Sequence, residues 1–237
     1  TGTQYTPDGS PNLSDLTFLP KAGFTGSVQI GYEGTDSRGK TFRGQIRIQV
    51  NQGSGSRYFQ DMGSYAWAAP YLDLLYEAGV ITGTGGQRYR PADAVSRGDF
   101  MLMLYRAFQL TPASGAGFPD VPPGSYYAQA IQAARAAGIA SGYPDGGFHP
   151  QEPVTRQDAM VLLERTMQAT GWSLGAANTG YLSGFRDGGM VAPYAQEAMS
   201  HMIEYGIITG TPEQKLNPIQ SISRAEMAVM LARAITF

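Results

Sequence analysis

The chain has 237 residues, of which 42% are hydrophobic and 15% charged, with a formal net charge of -2 and no cysteine. That balance suits one or two globular domains with a real core and argues against disorder. It excludes disulfides, thiolate metal sites and cysteine catalysis, and the lack of any basic block or bilayer-length apolar run speaks against nucleic acid and membrane insertion. No stretch reads as a signal peptide, which leaves export open.

Residues 1–52 read as β structure. Val28 to Tyr32 and Phe42 to Val50 alternate apolar with polar, the pattern of half-buried strands. Gly34 to Lys40 between them reads as a hairpin turn, and an earlier strand is expected at Leu16 to Leu19. Two or three strands rarely stand alone, so this segment reads as the end of a larger β-sandwich module. Asn51 to Ser56, rich in glycine and serine, reads as linker, and we place the boundary at residues 53–57.

From Tyr58 onward the chain repeats itself. Asp61 and Asp120 each precede an arginine, Arg97 and Arg156, by 36 residues, and Asp187 precedes Arg224 by 37. A glycine lies 18 before each arginine (Gly79, Gly138, Gly206), another 14 before (Gly83, Gly142, Gly210) and a proline six before (Pro91, Pro150, Pro218). The copies are expected at 58–110, 117–170 and 184–237, with a Gly/Ser/Asn-rich insertion at Gly171 to Gly184 ahead of the third. Each contains a Phe-x-Asp loop and a first helix opened by an aromatic residue (Trp67, Tyr126, Tyr194). That helix ends at the first glycine, acting as a C′ residue. A Gly/Pro-rich loop and a second helix follow.

The second helices begin Ser96-Arg97-Gly98-Asp99, Thr155-Arg156-Gln157-Asp158 and Ser223-Arg224-Ala225-Glu226. Each places a hydroxyl at the N-cap and a carboxylate at N3, the arrangement of a capping box. Downstream they are apolar on most sides, as in Phe100, Met101, Leu102, Met103, Leu104 and Phe108. Such helices are buried on most sides. The expected fold is mainly α: three helical repeats of pseudo-threefold symmetry around a central three-helix bundle, preceded by a short β segment.

The arginine at N1 stands where the helix dipole disfavours a cation by roughly 0.3–1 kcal/mol. Its threefold use suggests an anion. It lies at the mouth of the core stripe, and two readings stand: a guanidinium held for an external carboxylate, or an internal ion pair, for instance with a Phe-x-Asp carboxylate. Trp67, Tyr126 and Tyr194 suit either stacking on sugar faces or stapling the first helix to the core. Asp61, Asp120 and Asp187 suit sugar hydroxyls or N-caps. Gly79, Gly138 and Gly206 allow close approach of a ligand or simply a turn. The later arginines 106, 165 and 233 suit the negative end of the helix dipole. His149 and His201 occupy unrelated repeat positions, and no nucleophile–base set, metal site or cofactor motif appears.

These motifs resemble S-layer homology domains, whose second helix typically begins Thr-Arg-Ala-Glu. Copy two carries the likeness best, through Phe118-Pro119-Asp120-Val121, the run from Gly138 to Pro150 with its Pro144-Asp145-Gly146, and Thr155-Arg156. The resemblance implies a three-pronged, non-catalytic anchor on the bacterial cell surface. It would bind a secondary wall polysaccharide, commonly pyruvylated, in grooves between adjacent copies. The groove residues it implies are Arg97, Arg156 and Arg224, the three aromatics, the three loop aspartates and the glycines 79, 138 and 206. Copy one departs with Gly98-Asp99, which implies a looser helix start, and copies one and three lack Pro-Asp-Gly, which implies weaker, altered or silent grooves. The rival reading is self-assembly or docking of a protein partner; a wall-active hydrolase is a third.

Overall fold

Three backbone hydrogen bonds close a ring within the helical part of the chain. The Val95 amide donates to the Ile222 carbonyl at 3.0 Å, Ile222 to Val154 at 3.2 Å, and Val154 back to Val95 at 2.9 Å. Each of these buried residues immediately precedes the N-cap of a second helix. The structure, a computed structural model, describes residues 26–35, 38–50, 55–115 and 117–236. It divides into two compact units, Thr1–Gly53 and Ser54–Phe237.

In the first unit, strands β1 (Gly26–Thr35) and β2 (Thr41–Val50) pair antiparallel in a register running from Gly26↔Val50 to Thr35↔Thr41. The alternation promises a half-buried face, but Ile30 and Tyr32 remain 40% exposed. Tyr32 covers Gly44 directly across the ladder, where any Cβ would collide with its ring. The strand expected at Leu16 to Leu19 lies outside the described residues.

The described residues of the second unit carry six α-helices: α1 (Ala69–Glu77), α2 (Arg97–Ala107), α3 (Ala128–Ala136), α4 (Arg156–Ala169), α5 (Gln196–Glu204) and α6 (Arg224–Ile235). The first helix of each copy stops two residues before Gly79, Gly138 or Gly206, all left-handed at φ of 69°, 72° and 67°. Glycine adopts that conformation without the steric cost that falls on other residues. Trp67, Tyr126 and Tyr194 stand in tight turns just ahead of α1, α3 and α5, not inside them. The chain here makes 3-10-like bends before settling into the α ladder.

Each second helix is capped as its sequence suggests: Ser96, Thr155 and Ser223 accept from the N3 amide at 3.1, 3.3 and 3.2 Å. The reciprocal half of the box exists only in α6, where Glu226 accepts from the Ser223 amide at 2.9 Å. Asp99 and Asp158, a methylene shorter, do not take the cap amide, although Asp158 accepts from the Thr155 hydroxyl at 2.7 Å. Gly98 is closely packed. A side chain there would meet the Pro150 carbonyl at 2.9 Å and the Tyr127 ring at 3.0 Å, so close packing requires the glycine.

The copies interlock. Helix α3 packs on α2, α5 on α4, and α1 on α6, so each first helix lies against the second helix of the copy before it, cyclically. Helix α2 also touches α4 and α6 near the axis. The core is one cluster that runs through all copies, with Leu72, Leu104, Ile131, Met160, Met199 and Met227 essentially without exposure. Burying each such side chain is worth about 1.5–3 kcal/mol. A single copy lacks the partner helix for its own apolar stripe.

Candidate functional site

The Phe-x-Asp loops are latches. Asp61 accepts the backbone amides of Tyr89 and Arg90, both at 2.8 Å. Asp120 accepts those of Phe148 at 2.9 Å and His149 at 2.7 Å, and Asp187 those of Leu216 at 2.7 Å and Asn217 at 2.8 Å. The second residue of each pair has positive φ: 58°, 58° and 52°. The carboxylates thus pin a strained loop from the far end of the copy, which is a different role from N-cap. Burial pushes the Asp61 and Asp120 carboxyls up, but the amide hydrogen bonds outweigh it and hold both below the ordinary aspartate value.

The latched loop reaches the next helix start. Arg97 and Gly98 donate their amides to the carbonyls of Glu152 and Pro150, Arg156 and Gln157 to those of Gln220 and Pro218, and Arg224 and Ala225 to those of Asp93 and Pro91. With N3 bound to the cap, these otherwise orphan amides are satisfied. Any anion gripped here is therefore gripped by side chains.

The three arginines occupy three clefts, and each cleft faces the loop of the following copy. In the first, Arg97 donates Nε to the Phe148 carbonyl at 3.1 Å and lies over the rings of Phe148 at 5.0 Å and Tyr143 at 4.7 Å. In the second, Arg224 donates Nε to the Tyr89 carbonyl at 2.8 Å and lies over that ring at 4.4 Å. In the third, the aromatic is replaced by Leu216. Arg156 leaves its Nε buried without a partner and reaches Glu226 Oε1 at 3.1 Å instead. An unmade bond at a buried donor costs about 1–3 kcal/mol. Burial also pulls the Arg156 guanidinium below its ordinary value, against the pull of Glu226. Among the described residues no carboxylate lies within ion-pair distance of Arg97 or Arg224, and none of the loop aspartates pairs with any of the three.

The rim of each cleft comes from the remaining copy. Tyr194 donates its hydroxyl to Asp158 at 2.8 Å and accepts from Gln157 at 3.0 Å, beside Tyr143 and the first cleft. Tyr126 donates to Asp99 at 2.6 Å beside Arg224. These rings are 60% and 66% exposed. Partial burial, then the carboxylate hydrogen bond, pushes both phenols up to about 12. The third counterpart is Trp67, whose turn packs on α6, the helix of Glu226. Tryptophan has no hydroxyl to hold that carboxylate.

Other candidate residues serve the fold. Gly79, Gly138 and Gly206 are helix stops with open space about their α-carbons. The later arginines tie each second helix to the end of its own first helix: Arg106 to the Val80 carbonyl at 3.4 Å, Arg165 to Ile139 at 3.3 Å and Arg233 to Ile207 at 3.2 Å. His201 joins Glu164 at 2.5 Å and the Gly175 carbonyl at 3.1 Å, holding the insertion of copy three. His149 sits between Glu152 and Asp145, both at 2.8 Å, and these two hydrogen bonds raise its pKa. It packs edge-on to Tyr143 at 4.7 Å, so the Pro-Asp-Gly loop sets the ring that roofs Arg97.

Sequence reasoning missed Tyr89, Phe148, Tyr143 and the three N3 carboxylates as cleft residues. The aromatic eight positions before the arginine in two copies was a usable signal.

The profile of the S-layer homology domain matches residues 58–101, 117–160 and 184–228. The chain is 28% identical over 174 residues to an endoglucanase of Bacillus sp. (strain KSM-635), covering 73% of this chain and 18% of that protein. It is 29% identical over 180 residues to the surface-layer 125 kDa protein of Lysinibacillus sphaericus, covering 75% and 14%. To an S-layer protein of Bacillus thuringiensis subsp. finitimus it is 24% identical over 182 residues, covering 76% and 21%. The similarity spans less than a quarter of the length of each.

Proposed function

The chain belongs to the S-layer homology family, and from that premise we propose that residues 58–237 hold a larger exported protein on a bacterial wall by gripping an acidic, pyruvylated sugar of its secondary polysaccharide. The family is a non-catalytic anchoring module that binds cell-wall polymers, and its place is the cell surface. No helix among the described residues is long and apolar enough to cross a membrane.

One observation carries the finer reading. Arg97 and Arg224 are each laid on an aromatic ring and held by Nε, with no carboxylate partner, in a cleft rimmed by an exposed tyrosine. A ketal carboxylate would supply the missing counter-ion through a charge-assisted hydrogen bond, and the rim ring would face the sugar. Two modest grips on one linear polymer reinforce each other through effective concentration. We infer that the protein has no catalytic role of its own. Its relatives' enzymatic names belong to proteins of which the matched segment is a minor part.

The test is co-sedimentation of the full chain with native wall sacculi and with sacculi stripped of their secondary polymer. Binding to native wall alone is expected. Equal binding to both would overturn the proposal, and release of reducing sugar from either would overturn the non-catalytic part.

A further inference from the structure

The third cleft already contains a carboxylate. We propose that Glu226 is a built-in competitor for the Arg156 guanidinium, so that this chain offers two clefts to an anionic ligand and keeps the third closed. This rests on the reading above and specifies its valency.

The argument is a comparison of equivalent positions within one molecule. At N3 the copies carry Asp99, Asp158 and Glu226. The first two are drawn outward by a tyrosine hydroxyl of another copy, at 2.6 and 2.8 Å. Glu226 has no such hydroxyl, because Trp67 replaces the tyrosine. It is longer by a methylene, so Oε2 closes the full cap on Ser223, amide and hydroxyl, while Oε1 takes Arg156; Asp158 also spans two partners, the Thr155 hydroxyl and Tyr194, but neither is an arginine. On the arginine side the shelf residues are Phe148, Tyr89 and Leu216. Leucine offers no π-face, so nothing holds the guanidinium back from Glu226. Its Nε gives up the carbonyl that the other two arginines keep. Three substitutions at three separate positions (Tyr to Trp, Asp to Glu, aromatic to Leu) act together on one ion pair, and it is this pairing that sets the third cleft apart, since Arg97 in the first is itself only 8% exposed. A ligand carboxylate entering there must displace a tethered one at very high effective concentration.

The experiment is isothermal titration of the full chain with a synthetic pyruvylated disaccharide. Two equivalents are expected for the unchanged chain. Glu226→Gln keeps an acceptor for the cap but removes the competing charge, and should raise the count to three. The third equivalent should vanish again in the Glu226→Gln/Arg156→Ala double variant. Three equivalents in the unchanged chain, or two in Glu226→Gln, would overturn the proposal. A second measurement needs no ligand. Melting temperatures of Arg156→Ala, Glu226→Gln and the double variant should be non-additive, the double falling by clearly less than the sum. Additive losses would overturn the closure. If the disaccharide binds nowhere, the anchoring chemistry fails, and the melting cycle still decides whether Arg156 and Glu226 are coupled.

Discussion

The ring at the pseudo-threefold axis and the clefts around it obey different rules. At the axis the copies are interchangeable: the same amide meets the same carbonyl, the same two helix-start amides dock on the next loop, and the same aspartate pins that loop. In the clefts the side chains change from copy to copy, and only the first two keep the same arginine contacts. The shelf is Phe148, Tyr89 or Leu216. Tyr143, which roofs Arg97, has Thr84 and Thr211 as counterparts, yet all three loops close through one backbone bond, at 2.8, 2.8 and 2.9 Å. Backbone geometry is supplied by any residue that tolerates the dihedrals, so it assembles the copies without constraining side chains. The clefts are then free to differ in charge and shape.

The largest expected effects test the uniform part. Asp120→Ala removes two charge-assisted acceptors and leaves the Phe148 and His149 amides unsatisfied. It should cost about 3 kcal/mol, or about 6–12 °C in melting temperature for a unit of this size. Asp61→Ala should behave alike. A loss confined to one copy would break the equivalence claimed for the axis. Gly142→Ala is next. At φ of 79°, with a new Cβ 2.6 Å from the Phe118 ring and 2.9 Å from the Gly147 carbonyl, it should cost about 2 kcal/mol. The counterpart Gly83 lacks positive φ, so Gly83→Ala suffers the contact with Phe59 and the Arg88 carbonyl without the backbone strain and should cost less. Chemical unfolding of the two variants checks the order.

How much of this was legible follows from where the bonds run. The repeat, the helix stops and the caps rest on residues a few positions apart, so Gly79, Gly138 and Gly206 and the hydroxyls at 96, 155 and 223 could be placed from spacing. The clefts rest on bonds that cross copies: Arg97 to Phe148 spans 51 residues, Arg156 to Glu226 spans 70 and Arg224 to Tyr89 spans 135. A repeated sequence offers every arginine three equivalent loops and gives no local reason to prefer the next copy's over its own. Even the latch aspartates, 28–30 residues from their amides, pass for N-caps when only near neighbours are weighed. The difference between Asp99 and Glu226 was visible as letters. Its consequence required knowing which tyrosine stood opposite.

Acidity separates latch from cleft by sign. The Asp61 and Asp120 carboxyls are held below the ordinary value near 3.8. Their contribution is therefore complete above that value and is lost as pH falls through the depressed folded values. The His149 imidazole is raised above 6.5, so its contribution is complete below 6.5 and is lost as pH rises through the raised value. Melting temperature against pH should show a large acid limb and a slight alkaline one. His149→Gln should erase the alkaline limb and leave most of the acid limb, because backbone amides do more than His149 to hold Asp120 low. Loss of the acid limb in that variant would mean that the two regions are not independent.

Leu216→Tyr makes the smallest change and probes the comparison most directly. It restores to the third cleft the shelf that the second has in Tyr89. A guanidinium over an aromatic face gains about 0.5–2 kcal/mol, more as the site loses water, and the Leu216 carbonyl is the counterpart in sequence of the Tyr89 carbonyl that accepts Arg224 Nε. The gain opposes the pull of Glu226 and is offset by admitting a larger side chain at the buried Leu216 site, so stability should fall by about 1 kcal/mol. The coupling between Arg156 and Glu226 should nevertheless shrink, because the arginine then has somewhere else to go. A double-mutant cycle repeated on the Leu216→Tyr background reads that directly. Undiminished coupling would mean that the longer N3 side chain alone decides the state of the cleft and that the shelf residue is a bystander.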